Sequence, residues 1–218
     1  MKIADARLYG IVDLAYVAPG DAESMLGELI AGGIDVVQFR AKEHPPESLI
    51  PLACRLAALA RAAGVPFVVN DHPELAVACN ADAVHVGQDD LSIAEARERT
   101  GGSMWVGRST HSLAQAEAAQ GEGADYIGFG PLFATPTKPD YSPIGMADIR
   151  EAHARVRVPI FCIGGIKPEN LPDVLAAGAH RVVIVSGLLL AESPRETTRR
   201  CRGILDAFVP SLSASRLG

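Results

Sequence analysis

Aromatic side chains make up only 5% of this chain, and lysine occurs at four positions alone, Lys2, Lys42, Lys138 and Lys167. A core so poor in rings must be built from Ala, Val, Ile and Leu, a mixture that suits helices packed closely over buried strands. An excess of basic charge is also missing. The formal charge of −6 excludes a general nucleic-acid surface, although a few local cations can still dominate the field inside a cleft. No C-x-x-C pair occurs: Cys54, Cys79, Cys162 and Cys201 are scattered, as expected for free thiols in a reducing compartment. No apolar run is long enough to cross a bilayer, and Met1–Asp5 lacks the apolar stretch of a secretory signal. A soluble, cytoplasmic protein is expected. The 218 residues suit one large domain, taken as residues 1–210, followed by a small polar tail, 211–218.

What is present is a rhythm. Short apolar runs alternate with longer amphipathic segments, and eight runs read as strands: Leu8–Asp13, Asp35–Arg40, Pro66–Asn70, Ala83–Gly87, Met104–Ser109, Tyr126–Gly130, Pro159–Gly164 and Val182–Ser186. Most are apolar throughout, the pattern of parallel strands covered on both faces. Ser92-Ile93-Ala94-Glu95, Ser193-Pro194-Arg195-Glu196 and the Gln variant Ser112-Leu113-Ala114-Gln115 read as capping boxes at helix starts. Pro168 and Pro194 are expected in first helical turns. Eight strand–helix units argue for a closed (β/α)8 TIM barrel with right-handed crossovers. An open doubly wound sheet would announce a Gly-rich first turn, and Asp13-Leu14-Ala15-Tyr16-Val17-Ala18-Pro19-Gly20 is not one.

In such a barrel the strand C-termini build the active site, and here they carry most of the unusual polar residues. Gln38 and Arg40 share one face of the second strand, with Lys42 just beyond. Inward-facing, Arg40 could fork phosphate oxygens and Lys42 add a point charge; the bland alternative is an Arg closing a salt bridge at the rim. Asp71 and Asp90 follow adjacent strands, an arrangement that can hold Mg2+ together with substrate phosphate oxygens. Taken singly, Asp71 could merely cap the helix near Pro73 and Asp90 could merely form a turn. Gly164-Gly165 and Ser186-Gly187 resemble the phosphate cup found after strands seven and eight. Thr135, Thr137 and Lys138 lie on the long Pro-rich loop between Gly130 and Gly145. His85 reads as a hydrogen-bonded core residue, and His111 near Ser109 lacks the third group of a hydrolytic triad.

The ordered set Gln38-Phe39-Arg40-x-Lys42, Asn70-Asp71, His85-Val86-Gly87-Gln88-Asp89-Asp90, Gly130-Pro131-Leu132-Phe133-x-Thr135-x-Thr137-Lys138 and Ile163-Gly164-Gly165-Ile166 resembles the thiamine phosphate synthase family from about Leu8 to Leu189. The resemblance implies a transferase that couples 4-amino-5-hydroxymethyl-2-methylpyrimidine diphosphate with a phosphorylated thiazole and releases pyrophosphate. It implies Mg2+ on Asp71 and Asp90, and Arg40, Lys42, Asn70, Ser109 and Lys138 around the leaving group. Gln38 would orient the pyrimidine, Thr135, Gly165, Val185 and Ser186 would cradle the thiazole phosphate, and Thr137 is a further expected substrate-binding residue. Two positions depart from the pattern: Arg108 replaces an expected small apolar residue, and Ala41 stands where Glu is frequent. The alternatives are a tautomerase-like isomerase on the same barrel and a non-catalytic phosphate-binding regulatory barrel. No nucleic-acid or membrane partner is expected, and a homo-oligomer is compatible with the sequence.

Overall fold

The computed structural model describes residues 3–135 and 142–208. Eight parallel strands close into one barrel in sequence order: β1 (Leu8–Asp13), β2 (Val36–Arg40), β3 (Phe67–Asn70), β4 (Ala83–Val86), β5 (Trp105–Thr110), β6 (Tyr126–Phe129), β7 (Ile160–Cys162) and β8 (Val182–Ile184). Each expected strand is present. Several stop earlier than expected at the C-terminal end; β7, for example, stops before Gly164 and Gly165, whose φ values of 100° and 66° leave the extended region. Around the barrel run α1 (Ala22–Gly32), α2 (Pro46–Ala62), α3 (Pro73–Ala78), α4 (Ile93–Arg99), α5 (Leu113–Gly121), α6 (Ile149–Arg155), α7 (Leu171–Ala176), the short α8 (Ser186–Leu189) and α9 (Pro194–Ala207).

Helix starts follow the sequence with local differences. The Ser92–Glu95 box closes in both directions. At α9, Ser193 accepts from the Glu196 amide, but Glu196 turns its carboxylate to Arg199, 2.6 Å away. At α5, Ser112 accepts from the Gln115 amide, while Gln115 Oε1 reaches past Ser112 to the His111 N–H at 2.7 Å. Pro168 is not in a first helical turn. Asn170 Oδ1 accepts from the Lys167 amide, and α7 starts only at Leu171.

The core has two shells. Outward-facing strand residues such as Val37, Phe39, Val84 and Val106 pack under the helices. Inside the barrel, Tyr9, Val36, Val68, Ala83, Tyr126, Phe161 and Val183 fill the axis. Three of the chain's scarce aromatics are spent there, with Phe161 meeting Tyr9 and Tyr126 edge-on at centroid distances of 5.4 and 5.8 Å.

A repeated clasp ties the strands at their N-terminal ends. Asp35 donates its N–H to the Leu8 carbonyl and accepts the Leu8 N–H on its carboxylate at 2.9 Å. Asp82 does the same with Phe67, and Asp125 with Val106, at 2.8 and 2.7 Å to the carboxylates. Each carboxylate satisfies an amide that the parallel ladder leaves over. Strands one to six are thus joined in pairs. In the corresponding position before β8, two residues after Gly178, stands His180.

Candidate active site at the barrel mouth

Alternation along the strands decides which polar groups face the axis. On β2, Val36, Gln38 and Arg40 point inward; on β1, Tyr9, Ile11 and Asp13 do so, and Asp13 lies opposite Arg40 in register. The Arg40 guanidinium meets the Asp13 carboxylate at 2.5 Å, with Asp13 only 1% exposed. The rim salt bridge is therefore real. It also holds Arg40 at the mouth, where its side chain lines the cavity together with Gln38 and Asn70. Asp13 was missed by sequence reasoning; its signal was its parity with Tyr9 and Ile11 at the end of a strand.

Asp71 sits directly after β3 in the left-handed region, φ 61°. It does not cap α3, which His72 precedes without a side-chain cap. Its carboxylate faces Lys42 Nζ at 3.1 Å and lies within hydrogen-bonding reach of Asp90. Burial, and then the neighbouring Asp90 carboxylate, push the Asp71 pKa upward, with Lys42 opposing them. One Asp90 oxygen accepts the Gly87 N–H at 2.7 Å, so Asp90 also shapes its turn. A Cβ at residue 87 would lie 2.6 Å from that oxygen, so glycine is required for the carboxylate to sit there. The two acids converge as the sequence led us to expect. Among the described residues no group of three or more His, Cys, Asp or Glu side chains gathers for a metal. Two facing carboxylates that repel each other fit a hard divalent cation whose remaining positions go to water and phosphate oxygens.

Arg108 has a clear place. It points outward from β5, is 9% exposed, and donates to the carbonyls of Leu91 at 2.7 Å and Gln88 at 3.4 Å. Gln88 in turn donates from its side chain to the Ser109 carbonyl at 2.5 Å. Arg108 therefore adds no cation to the cavity. It holds the loop that carries Asp90.

The opposite side of the mouth is formed by the exits of β6, β7 and β8. Thr135, Gly165, Val185 and Ser186 line the cavity there. Leu132 and Phe133 donate to the carbonyls of Ile163 and Gly164 at 2.8 and 3.0 Å. A Cβ on Gly164 would lie 2.4 Å from Pro131, and one on Gly165 would lie 2.7 Å from Phe133 Cβ. The glycine pair therefore admits the neighbouring loop as well as leaving backbone open to the cavity. The nearest helix start is the short α8 at Ser186, not a helix at Pro168. Thr137 and Lys138 lie outside the described residues.

Across the floor, Ser109 Oγ meets His85 Nε2 at 3.0 Å, and His85 Nδ1 meets the Tyr126 hydroxyl at 3.3 Å. His85 is thus hydrogen-bonded, as expected, but it also lines the cavity with Tyr9 and Tyr126. His111 instead places Nδ1 2.5 Å from the Gly130 carbonyl, while Ser109 Oγ has His85 as its partner. In all, Gln38, Arg40, Asn70, Ser109, Thr135, Gly165, Val185 and Ser186 share one cavity. Lys42, Asp71 and Asp90 line an adjoining acidic recess.

Known proteins give this mouth a lineage. A family model described as thiamine monophosphate synthase matches residues 8–188. The thiamine-phosphate synthase of Chloroflexus aurantiacus is 41% identical over 93% of this chain and 94% of its own length. That of Gloeobacter violaceus is also 41% identical, over 90% of this chain, which spans 57% of that longer protein. The solved thiamine phosphate pyrophosphorylase of Pyrococcus furiosus superposes with a TM-score of 0.86 at 30% identity, covering 95% of this chain and 98% of the other. With the family model spanning β1 to α8 and a solved relative sharing the barrel throughout, this chain belongs to the thiamine-phosphate synthase family of transferases.

Proposed function

We propose that the chain joins 4-amino-5-hydroxymethyl-2-methylpyrimidine diphosphate to 4-methyl-5-(2-phosphoethyl)thiazole, giving thiamine phosphate and pyrophosphate. The observation that carries this reading is the convergence of Asp71 and Asp90 beside Lys42 and Arg40 on one side of the mouth. Gly165, Val185 and Ser186 lie across the same opening. A regulatory barrel would have use for the second side only, and an isomerase acting on the thiazole alone would have no use for the paired acids.

Asp71 and Asp90 would hold Mg2+, which supplies charge neutralisation for a departing diphosphate. The chain's own groups do the rest. Lys42, Asn70 and Ser109 bind diphosphate oxygens, and Arg40, kept in place by Asp13, adds a fork of N–H donors. On the sequence pattern Lys138 joins them, Thr135 serves the thiazole phosphate, and Thr137 is a further substrate contact. Gln38 orients the pyrimidine ring. The bond from the pyrimidine methylene carbon to oxygen breaks, and its electron pair leaves with the diphosphate. The amino group feeds electrons into the ring as it does so. The thiazole nitrogen then forms the C–N bond from its existing lone pair, so no protein base is required. Alignment of the two reactants and stabilisation of separating charge are what the barrel must provide.

The test is direct. Purified protein incubated with both precursors and Mg2+ is expected to yield thiamine phosphate and pyrophosphate in equal amounts, and neither after chelation. Turnover of the thiazole alone, or no product with both precursors, overturns the proposal.

A further inference from the structure

We propose that Gln38, Tyr9, Tyr126, His85 and Ser109 form a single polarised hydrogen-bond chain across the barrel floor. Its Gln38 end presents an acceptor and its Ser109 end a hydroxyl donor, which makes Tyr9, Tyr126 and His85 positioning residues for a substrate that separates charge. The inference rests on the coupling reaction proposed above and deepens it.

The links are continuous. Gln38 Nε2 donates to the Tyr9 hydroxyl at 2.9 Å, and the Tyr9 and Tyr126 hydroxyls are 3.3 Å apart. Tyr126 meets His85 Nδ1 at 3.3 Å, and His85 Nε2 meets Ser109 at 3.0 Å. These residues come from β1, β2, β4, β5 and β6, so only barrel closure assembles them. Room for the central link comes from Gly107. A Cβ there would lie 2.2 Å from Tyr126 Cζ and 2.5 Å from His85 Nδ1.

The direction follows from counting protons. Among the described residues Tyr9 makes two hydrogen bonds, to Gln38 and to Tyr126. It already accepts from Gln38, so its own proton goes to Tyr126. Tyr126 then passes its proton to His85 Nδ1, and His85 donates from Nε2 to Ser109. In the reverse order the Tyr9 proton would have no acceptor, although Tyr9 is 2% exposed, and an unmade bond of that kind is costly. An imidazolium at His85 would donate at both nitrogens and force that same reverse order.

Both ends are then determined. Gln38, a lining residue of the cavity, is oriented by the amide proton it gives Tyr9, and in this chain Oε1 is the atom it offers to the substrate. Ser109 has accepted from His85 and is free to turn its O–H toward the mouth. As the C–O bond breaks, positive charge grows on the pyrimidine amino group and negative charge on the leaving oxygen. An acceptor facing the first and a donor facing the second both strengthen in the transition state, and hydrogen bonds in series reinforce one another. If structure alone were served, Phe would fill positions 9 and 126 as Phe161 does between them, with no polar group to desolvate.

Tyr126→Phe and Tyr9→Phe keep ring volume and remove one hydroxyl each. Each is expected to lower kcat about 10-fold or more, leaving the KM for the thiazole phosphate unchanged. The double variant is expected to lose no more than the worse single variant, because one broken link already interrupts the chain. The 15N-imidazole spectrum of the unliganded protein, with the His85 signals identified by their loss in His85→Gln, supplies a readout independent of turnover. It should show the Nε2–H tautomer in the native chain and a mixture in Tyr126→Phe. An Nδ1–H tautomer or an imidazolium at neutral pH, additive losses, or a Tyr126→Phe kcat within twofold of native would each overturn the chain. Failure of the native protein to couple the precursors would instead sink the synthase reading, and the spectrum would still judge the chain.

Discussion

Asp71 illustrates how a functional side chain can work against the fold that holds it. Its carboxyl is pushed upward first by burial and then by Asp90. A raised folded-state pKa means the ionised form costs stability at neutral pH, and Asn at this position removes that cost. Asp71→Asn is therefore expected to leave the melting temperature unchanged or higher while lowering Mg2+-dependent coupling about 100-fold or more. A calorimetric scan beside a coupled assay checks both signs, and a marked fall in melting temperature would show that Asp71 is structural. At this scale the sequence was legible wherever a charged residue followed an apolar run, as with Arg40, Lys42, Asp71 and Asp90. It was illegible for Tyr9 and Tyr126, which lie within apolar runs whose neighbours give no sign of a role for their hydroxyls. Their hydroxyls meet across the barrel axis, 117 residues apart in the chain, and no local pattern announces such a meeting.

The elements show a division of labour between the two ends of the strands. At the N-terminal ends, the Asp35, Asp82 and Asp125 clasps serve stability. Their worth should follow burial. Asp35 is 6% exposed and holds the amides of both Arg7 and Leu8 as well as Arg202, so Asp35→Ala is expected to cost about 2–4 kcal/mol. Asp82 is exposed and water can take its place, so Asp82→Ala should cost about 1 kcal/mol. Urea titrations give the ranking, and neither change should alter KM. At the C-terminal ends, the β4–α4 loop depends on Arg108. Arg108→Met removes both loop anchors and is expected to raise the KM for Mg2+ and for the pyrimidine diphosphate about 10-fold, with the thiazole phosphate KM unmoved; equal effects on both substrates would refute this account. The strand count and the capping Ser92 could be read from periodicity and motif. The reach of Gln115 to His111, and the late start of α7 after Asn170 captured the Lys167 amide, could not, since each depends on a loop path set by tertiary packing.

For the whole molecule, closure was foreseeable from eight repeated units, but the change in the clasp pattern before β8 was not. Where the clasp pattern reaches β8, His180 replaces the acid and stacks on His153 with ring centroids 4.3 Å apart. Burial, then His180 and Arg181, hold the His153 pKa down to about 4 from 6.5. A folded-state value below the unfolded one means the native chain binds fewer protons. This stability is complete above pH 6.5 and is lost as pH falls toward 4. The loss amounts to about 2 kcal/mol once partial exposure is allowed for. Melting curves across that window should show it, and His153→Gln should flatten it.

Barrels are only as tight as their loosest stave. β7 and β8, each three residues long, meet in register at Cys162 and Val182, with an acid-sensitive imidazole pair where the β1–β2, β3–β4 and β5–β6 joints have a carboxylate hook. Mild acid should start to unzip the cylinder there, and deuterium should enter the β7 and β8 amides before it reaches β1 to β6. The backbone that carries Gly165 and Ser186 would then be the first part of the mouth to lose its shape, while the acidic recess by β3 and β4 stays assembled.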